Sequence, residues 1–272
     1  MIFSKGILYV ATGKKYVEEA IFSAISCKRT NSYPIALITD SEDYILPKNL
    51  FNIVIVKSAE YNYIDKLLLK YTPFEQTIFL DTDTFVTDRL DDLFRILDYR
   101  EFAIHQADEG YEFSMPEISN AMPEFNTGVI AYRLTKNVKL LIENWHMAFK
   151  KNSHIKTDQY HLRKTLYESE VKFAIFSSAY NFIIYYPNFV IQSVKILHGR
   201  PLSSLQKIAE DLNRIRHDNA WRRAYYPYNN DFGLLYQNMK SEDILKLAKF
   251  NLRALLGNFR QKVISTIKNI RL

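Results

Sequence analysis

The chain has 272 residues, 47% of them hydrophobic and 24% charged, and this ordinary globular mixture excludes wholesale disorder. Its single cysteine, Cys27, excludes a disulfide framework and a zinc site built from cysteines, so a reducing compartment is expected. The net charge of +6 is concentrated in residues 195–272, which carry 15 Lys and Arg against 6 Asp and Glu. The rest of the chain is mildly acidic. This distribution disfavours nucleic acid as a partner, because proteins that bind it more often spread basic charge over the folded body.

Membrane-spanning and secretory segments are not expected in this sequence. No apolar run approaches the roughly 20 residues that a spanning helix needs. The apolar run near the amino terminus, Ile7 to Ala11, is too short for the core of a secretory signal. The sequence therefore predicts a cytoplasmic protein.

Apolar runs and segments with helical periodicity alternate along the first part of the chain. Strands are predicted at residues 6–11, 34–39, 51–56 and 77–80, and helices at 14–28 and 64–71. Such alternation predicts parallel strands covered by helices, and ligands of these sheets bind outside the carboxyl ends of the strands.

Further elements follow a stretch that reads as a loop. Helices are predicted near 90–97, at 135–150 and from Thr157 onward, and strands near 102–105, 125–132, 171–176 and 190–197. Residues 107–124, rich in acidic residues and interrupted by proline and glycine, are predicted to form a mobile loop. We hypothesise that this loop is a lid or a platform for the second substrate.

The end of the chain has a different character. From Ile244 to Ile270 apolar residues recur every three or four positions, and seven Lys and Arg follow Asp243 without one acidic residue. This pattern predicts a basic amphipathic helix. Its basic face is either solvated on a helix that packs against the body, or in contact with an anionic membrane surface, or, as a third alternative, bound to nucleic acid. The predicted domains are a catalytic domain over 1–202 and a helical extension over 203–272.

Asp81-Thr82-Asp83 directly follows the predicted strand at 77–80. Side chains two residues apart in an extended segment point the same way, so both carboxylates can converge on one cation. Oxygen ligands of this kind suit Mg²⁺ or Mn²⁺. The alternative is a pair of surface aspartates that cap the turn before Thr84.

His198 ends another predicted strand and is followed by Gly199 and Arg200. A lone histidine is more often structural than a ligand, but two aspartates and a histidine together suit Mn²⁺. Gly199 would let the backbone approach an anion, and Arg200 would neutralise a diphosphate.

Four short motifs in this order resemble those of metal-dependent GT-A glycosyltransferases. They are Ile78-Phe-Leu-Asp-Thr-Asp-Thr84, Phe125-Asn-Thr-Gly128, Asp158-Gln159 and His198-Gly199. The chain is most similar to the retaining glycogenin-like and bacterial galactosyltransferase-like group, glycosyltransferase family 8, over about residues 5–201. The last motif is shorter than the family's His-x-x-Gly-x-x-Lys, and Arg200 is the substitute for its lysine.

The resemblance implies an α/β fold with a nucleotide-sugar-binding, Rossmann-like mixed sheet flanked by helices. The implied reaction transfers a sugar from a nucleoside-diphosphate sugar, with uridine as the expected nucleoside, to a hydroxyl of a glycan or glycolipid acceptor. Retention of configuration is expected. If the enzyme instead inverts, Asp158 is the first candidate for the base, followed by Asp108 and Glu109 in the loop.

The resemblance also implies a role for each matching residue. The implied metal ligands, for Mn²⁺ or Mg²⁺, are Asp81, Asp83 and His198. The implied donor-binding residues are these two aspartates with Ala11, Thr12, Gly13, Lys66, Thr82, Asn126, Thr127, Gly128, Gly199 and Arg200. Within this set Ala11–Gly13 would meet the base and ribose, and Asn126–Gly128 would line the sugar pocket. Asp158 and Gln159 would lie beside the reacting sugar, as catalytic residues.

Some of these assignments have plain structural alternatives. Lys66 would otherwise be a solvated helix lysine, and Asp158 would complement its helix dipole. Asp40, after the second predicted strand, has no role in the pattern.

Two other functions stay open. A sugar-1-phosphate nucleotidyltransferase has a similar sheet but generally needs a Gly-rich, Arg-containing loop after the first strand, where this chain has Ala-Thr-Gly-Lys-Lys-Tyr. A non-enzymatic alternative is a basic binding protein, associated with a membrane or nucleic acid through its C-terminal helix.

Overall fold

A computed structural model describes residues 3–107, 115–152, 154–190, 192–214, 223–228 and 231–236. The predicted basic helix after Asp243 lies outside the described residues, as do Asp108 and Glu109. No helix in the described part of the chain is both long enough and apolar enough to cross a bilayer.

Thirteen strands and five α-helices make up the described structure. The strands are β1 (Phe3–Val10), β2 (Ile35–Thr39), β3 (Ile53–Val56), β4 (Phe74–Leu80), β5 (Thr84–Val86), β6 (Phe102–Gln106), β7 (Phe125–Arg133), β8 (Phe173–Ile175), β9 (Phe182–Ile183), β10 (Asn188–Val190), β11 (Ile196–His198), β12 (Arg223–Tyr228) and β13 (Asp231–Tyr236). The α-helices are α1 (Lys14–Lys28), α2 (Asp91–Leu97), α3 (Lys136–Lys151), α4 (Asp158–Tyr167) and α5 (Leu202–Arg214). Two 3-10 helices span Tyr63–Tyr71 and Ser178–Tyr180.

The central sheet is mixed and has seven strands in the order β3-β2-β1-β4-β7-β6-β8. The first four strands in this order are parallel, as the alternation of strands and helices predicts. Strand β7 is antiparallel to both of its neighbours, β4 and β6. A parallel neighbour needs a crossover connection, usually a helix. The described residues between β6 and β7 contain no helix, which agrees with the antiparallel pairing of these two strands.

The sheet is buried on both faces because its strands alternate apolar side chains between two cores. In β1, Ile7 and Tyr9 pack on the face covered by α1 and α2. Leu8, between them, packs on the opposite face with α3, α4 and the first 3-10 helix. Such a three-layer arrangement fixes the carboxyl ends of β1, β2 and β4 along one edge.

A small second sheet, in the order β5-β11-β9, lies beyond the end of β4. Strand β5 is antiparallel to β11, with Thr84 opposite His198. Strand β9 is parallel to β11, with Ile183 beside His198. These pairings bring the end of β11 back to the residues that follow β4.

The chain divides into two compact units. The first comprises Met1–Ile184 and Val194–Glu210 and contains both sheets described above. The second comprises Tyr185–Ser193 and Asp211–Leu272, and its described part includes an antiparallel sheet in the order β10-β12-β13. Strands β12 and β13 lie in the region that the sequence predicts to be helical. The predicted boundary between a catalytic domain and an extension at residue 202 stays a prediction.

Candidate functional site

Asp81, Asp83 and His198 converge at the carboxyl edge of the central sheet. Asp81 directly follows β4, and its backbone N–H donates to the carbonyl of Gly128 in β7 over 2.8 Å. Asp83 comes two residues later, and its carbonyl accepts from the backbone N–H of Gly199 over 2.9 Å. The small sheet places His198 opposite Thr84. The strand pairing therefore joins the two predicted parts of the metal site.

The ligand atoms of these three residues all lie within 4.8 Å of one another. The Nε2 atom of His198 is 3.2 Å from Oδ1 of Asp83 and 3.8 Å from Oδ2 of Asp81. Within the residues that the structure describes, this is the one group of three or more such side chains placed to share a cation. The three residues are called the metal cluster below, after the cation that they are predicted to share.

Burial and the neighbouring charges affect the two carboxylates differently. Burial raises the pKa of Asp81 above its ordinary value, and the charges of Lys66 and His198 only partly offset this effect. Burial acts on Asp83 in the same direction, but His198 and Arg200 outweigh it and hold the pKa of Asp83 well below the ordinary range. Asp83 is therefore the carboxylate that stays ionised to lower pH.

His198 responds to the same carboxylates. Burial by itself would lower the pKa of its imidazole, but Asp83 and Asp81 raise the pKa above the ordinary value. The two carboxylates thus surround the ring with negative charge. This charge favours a proton on the ring, and it also favours a cation bound beside the ring.

Lys66 connects this group to the next two predicted residues. Its Nζ lies 3.0 Å from Oδ2 of Asp81, 2.9 Å from Oγ1 of Thr127 and 3.2 Å from Oδ2 of Asp158. The lysine side chain is only 12% exposed, so it is not a solvated helix lysine. Burial would lower its pKa, but Asp158 and Asp81 raise it, and the amine stays charged.

Asp158 faces this group from the first turn of α4. Oγ1 of Thr127 donates to its Oδ2 over 2.6 Å, and the indole N–H of Trp145 donates to its backbone carbonyl over 2.8 Å. Gln159 follows in the same turn and is half-buried. Thr157 occupies the predicted N-cap position, yet its hydroxyl makes no capping bond and is buried without a partner among the described residues.

Arg200 is held by Glu19, a residue that sequence reasoning does not select. Its Nε and Nη2 donate to the two carboxylate oxygens of Glu19 over 2.9 and 2.6 Å, and its Nη1 donates to Oδ2 of Asp83 over 2.7 Å. The hydroxyl of Thr82 also donates to Glu19, over 2.8 Å. The guanidinium is 40% exposed beside the metal cluster, where it can meet an anion.

Ala11, Thr12 and Gly13 follow β1 at the same edge of the sheet as Asp81, and no hydrogen bond among the described residues joins them to the metal cluster. The hydroxyl of Thr12 donates to Oδ2 of Asp65 over 2.8 Å. Asp65 immediately precedes Lys66, so the 3-10 helix links this segment to the metal cluster. Ala11 is buried.

Asp40 supports the turn between β1 and α1. Gly13 has a φ of 86°, which favours glycine, and its N–H donates to Oδ1 of Asp40 over 2.8 Å. The hydroxyls of Tyr44 and Tyr61 also donate to this carboxylate. Although burial opposes the change, these donors lower the pKa of Asp40. Asp40, without a role in the sequence pattern, therefore positions the segment predicted to meet the nucleotide.

Asn126, Gly128 and Asn181 surround the imidazole of His198. Its Nδ1 lies 3.0 Å from Oδ1 of Asn181, whose Nδ2 donates to Oδ1 of Asn126 over 2.8 Å. A Cβ atom on Gly128 would lie 2.1 Å from Cε1 of the ring, so only glycine fits at this position. Gly199 has a φ of 141° and directs the chain away after His198.

Sequence reasoning misses Glu19, Asp65 and Asn181. Glu19 leaves a signal in the sequence, because Glu19, Ser23 and Ser26 form a polar stripe with helical spacing on an otherwise apolar face of α1. Asp65 stands next to Lys66, but adjacency alone does not indicate its bond to Thr12. Asn181 has no pattern around it, since its contacts depend on the pairing of β9 with β11.

No protein-family model matches the chain, and no curated protein matches it in sequence. The likeness to known proteins is structural, and 166 chains of solved structures match.

The similar solved structures include several glycosyltransferases. The crystal structure of the glycosyltransferase GlyE of Streptococcus pneumoniae TIGR4 matches with a TM-score of 0.56 and 16% identity, over 84% of this chain and 67% of that one. The galactosyltransferase LgtC, in complex with donor and acceptor sugar analogs, matches with a TM-score of 0.57 and 14% identity, over 87% and 98%. The bifunctional glycosyltransferase WbbM matches with a TM-score of 0.51 and 12% identity, over 68% and 40%. The chain thus has the mixed α/β fold of GT-A glycosyltransferases.

Proposed function

We propose that this chain is a metal-dependent glycosyltransferase, which transfers a sugar from a nucleoside-diphosphate sugar to a hydroxyl of a glycan or glycolipid. The observation that carries the proposal is the convergence of Asp81, Asp83 and His198 at the carboxyl edge of a GT-A sheet. Ligands of open α/β sheets bind at this edge.

The three side chains fit a divalent cation of the Mn²⁺ or Mg²⁺ type. Two carboxylates and an imidazole are suitable ligands for Mn²⁺. Donor atoms on opposite sides of a Mg²⁺ ion lie about 4.2 Å apart, since each bond is about 2.1 Å long. The ligand atoms here lie within 4.8 Å, so small side-chain shifts would close the set around the ion. Three protein ligands leave positions for oxygens of a diphosphate.

The diphosphate end of the donor would lie between the metal cluster and Arg200. A metal held by Asp81, Asp83 and His198 would act as a Lewis acid that stabilises the departing diphosphate. Arg200 would add a charge-assisted donor to the same anion, and Glu19 fixes the direction in which its guanidinium points. The N–H of Gly199 already donates to Asp83, so this glycine contributes its backbone conformation and not a donor.

Asp158 would stabilise positive charge on the reacting sugar instead of removing the acceptor proton. Its Oδ2 accepts a hydrogen bond from Thr127 and pairs with the ammonium of Lys66. Both partners hold Oδ2 of this carboxylate in place beside Thr127, where its negative charge can stabilise a cationic transition state. This arrangement supports retention, in which a phosphate oxygen of the leaving group takes the acceptor proton.

The donor nucleotide and the membrane association are further parts of the proposal. We assign the segment Ala11–Gly13 to the base and ribose, with uridine as the expected nucleoside, and Asn126–Gly128 to the sugar. Likeness to family 8 motifs supports these assignments. Contact of the basic C-terminal helix with a membrane stays a prediction of the sequence.

The test is release of nucleoside diphosphate from a panel of nucleotide sugars, with Mn²⁺ and with a chelator. Wild type is compared with Asp83→Ala and with the control Asp98→Ala, an exposed aspartate at the end of α2. We expect slow hydrolysis of one donor by the wild type and the control, lost in Asp83→Ala and in the chelator. Equal release by all three proteins, or none from any donor, would refute the proposal.

A further inference from the structure

Each hydrogen bond in the series that leads to His198 has a fixed donor and acceptor, because the series begins at a backbone N–H. The N–H of Gly128 donates to the side chain of Asn126 over 2.9 Å, and a backbone N–H can only donate. The accepting atom of Asn126 must therefore be its Oδ1. The same oxygen lies 2.8 Å from Asn181, so Asn181 must present its Nδ2 there and donate.

This direction settles which atom of Asn181 faces the imidazole. With Nδ2 turned toward Asn126, the remaining oxygen, Oδ1, lies 3.0 Å from Nδ1 of His198. An amide oxygen can only accept, so Nδ1 carries the hydrogen. The series Gly128, Asn126, Asn181 and His198 is called the amide relay below.

The relay leaves the other ring nitrogen available on the metal side. In a neutral imidazole only one nitrogen is protonated, so hydrogen on Nδ1 leaves the lone pair on Nε2. Nε2 is the atom that faces Asp83 and Asp81, at 3.2 and 3.8 Å. A hydrogen-bond partner on the second nitrogen is how proteins generally fix the tautomer and the plane of a ligating histidine.

Packing holds the relay in place. Asn181 is fully buried, and the ring of His198 lies directly against the backbone of Gly128. Asn181 immediately precedes β9, which pairs in parallel with β11, so the strand pairing itself brings the amide beside the ring.

We propose that Asn181 is a positioning residue, which fixes His198 in the tautomer that presents Nε2 to a divalent cation. This inference deepens the proposed function and rests on it, because the cation belongs to that function. Loss of a partner of this type commonly reduces metal affinity about 10- to 100-fold.

The first test reads the tautomer of the wild-type protein, which requires no variant. Long-range ¹H–¹⁵N NMR of the full chain, saturated with diamagnetic Zn²⁺ in place of a proton on Nε2, distinguishes hydrogen on Nδ1 from hydrogen on Nε2. We expect hydrogen on Nδ1 at His198. Hydrogen on Nε2 would overturn the proposal whatever the enzyme does with a nucleotide sugar.

The second test is a double-mutant cycle on Mn²⁺ affinity, measured by electron paramagnetic resonance of free Mn²⁺ with and without added UDP. Asn181→Leu keeps the side-chain size but cannot accept, and we expect it to weaken Mn²⁺ binding at least tenfold. In a His198→Ala background the same change should have no further effect, because Asn181 acts through the ring.

The matched control is Asn31→Leu, which removes another amide that holds backbone atoms by hydrogen bonds, away from the metal cluster. Its Mn²⁺ affinity should equal that of the wild type. The proposal would be overturned if Asn181→Leu bound Mn²⁺ with wild-type affinity. It would also be overturned if this change reduced the Mn²⁺ affinity equally with and without His198. Failure of the proposed function would give a different result. The protein would bind Mn²⁺ and show the expected tautomer, but it would release no nucleoside diphosphate from any donor.

Discussion

Lys66 pairs with two carboxylates of the candidate site. Its ammonium lies between the carboxylates of Asp81 and Asp158 and beside the hydroxyl of Thr127. Burying these charges costs free energy, and the mutual attraction compensates only while all of them are present. The lysine therefore matters in two ways, since it keeps the two carboxylates compatible with burial and holds Oδ2 of Asp158 in place.

Replacing Lys66 with methionine keeps the aliphatic length and removes the charge. The two carboxylates then repel each other in a buried environment, and removal of one partner from such a group typically costs about 3–5 kcal/mol. We expect the free energy of unfolding in guanidinium to fall by an amount of this order, and donor turnover to fall by at least about 100-fold.

Lys70→Met is the control for Lys66→Met. Lys70 lies four residues later in the same 3-10 helix, and its described amine contact is with the ring of Tyr71, outside the candidate site. Its turnover should match that of the wild type. A Lys66→Met protein that is as active as the control would exclude the electrostatic role.

Gly128→Ala tests the close approach of β7 to the imidazole. The added Cβ would lie 2.1 Å from Cε1 and 2.5 Å from Nδ1 of His198, so the ring must move from the position in which it faces Asp81 and Asp83. We expect Mn²⁺ affinity, measured by calorimetry, to fall at least about tenfold.

Gly6→Ala is the matched control, because its Cβ would meet the ring of Phe74 at 2.4 Å, and Phe74 begins β4 whereas the candidate site follows the last residue of that strand. This variant should lose stability, as overpacked cores do, but keep its Mn²⁺ affinity. If both variants bind Mn²⁺ equally well, the packing of Gly128 against His198 does not affect the affinity for Mn²⁺, contrary to the prediction.

At the scale of elements, the ends of strands supply most of the site. The register of β6 against β7 shifts between Ile104 and His105, where β6 reaches the edge of the sheet. His105 is buried there, its ring stacks on Phe176, and its Nδ1 has no partner in the described part of the chain. Burial lowers the pKa of His105 to about 4. The histidine is therefore neutral in the folded protein at neutral pH.

This depressed pKa predicts a loss of stability in mild acid. A histidine whose pKa is about 4 when folded and 6.5 when unfolded binds its proton preferentially in the unfolded state as the pH falls through this window. At pH 5 the linkage amounts to about 2 kcal/mol of lost unfolding free energy relative to pH 8. His105→Leu should lose less between the two pH values, as measured by guanidinium denaturation. Identical losses in the two proteins would show that His105 is not the group responsible.

The sequence was sufficient to predict the apolar strands and the polar residues at their ends. The positions of Asp81 and Asp83 after β4, and of His198 at the end of β11, predict a shared site because ligands bind at strand ends, and the structure brings these residues together. The antiparallel direction of β7 was not indicated by periodicity, which is the same for both strand directions. Glu19 and Asn181 were missed because their contacts depend on pairings between distant segments.

At the scale of the whole molecule, charge is distributed unevenly along the chain. The basic excess lies after residue 194, and the segment 243–272 carries cations only, apart from Asp243. The residues that form the candidate site belong to the first compact unit. The candidate site and the basic segment 243–272, which suits an anionic membrane surface, therefore lie in different parts of the sequence.

Removing residues 243–272 should separate these two properties. We expect the shortened chain to release nucleoside diphosphate from its donor as the full chain does. We also expect it to lose cosedimentation with vesicles that contain anionic lipid, whereas vesicles of zwitterionic lipid should retain neither protein. Retained binding to the anionic vesicles would assign membrane contact to another part of the chain.

The pairing of β5 with β11 has a consequence for the order of events during synthesis. Arg200 and Asp83 are 117 residues apart in the chain, and they meet only after this pairing has closed the intervening segment. A nascent chain that has exposed all of β1 to β7 still lacks His198 and Arg200, and thus one proposed metal ligand and one cation that pairs with Asp83. Until β11 leaves the ribosome, the two aspartates have no fixed histidine beside them. Affinity for the cation should therefore arise late in translation, close to the moment at which the first compact unit becomes complete.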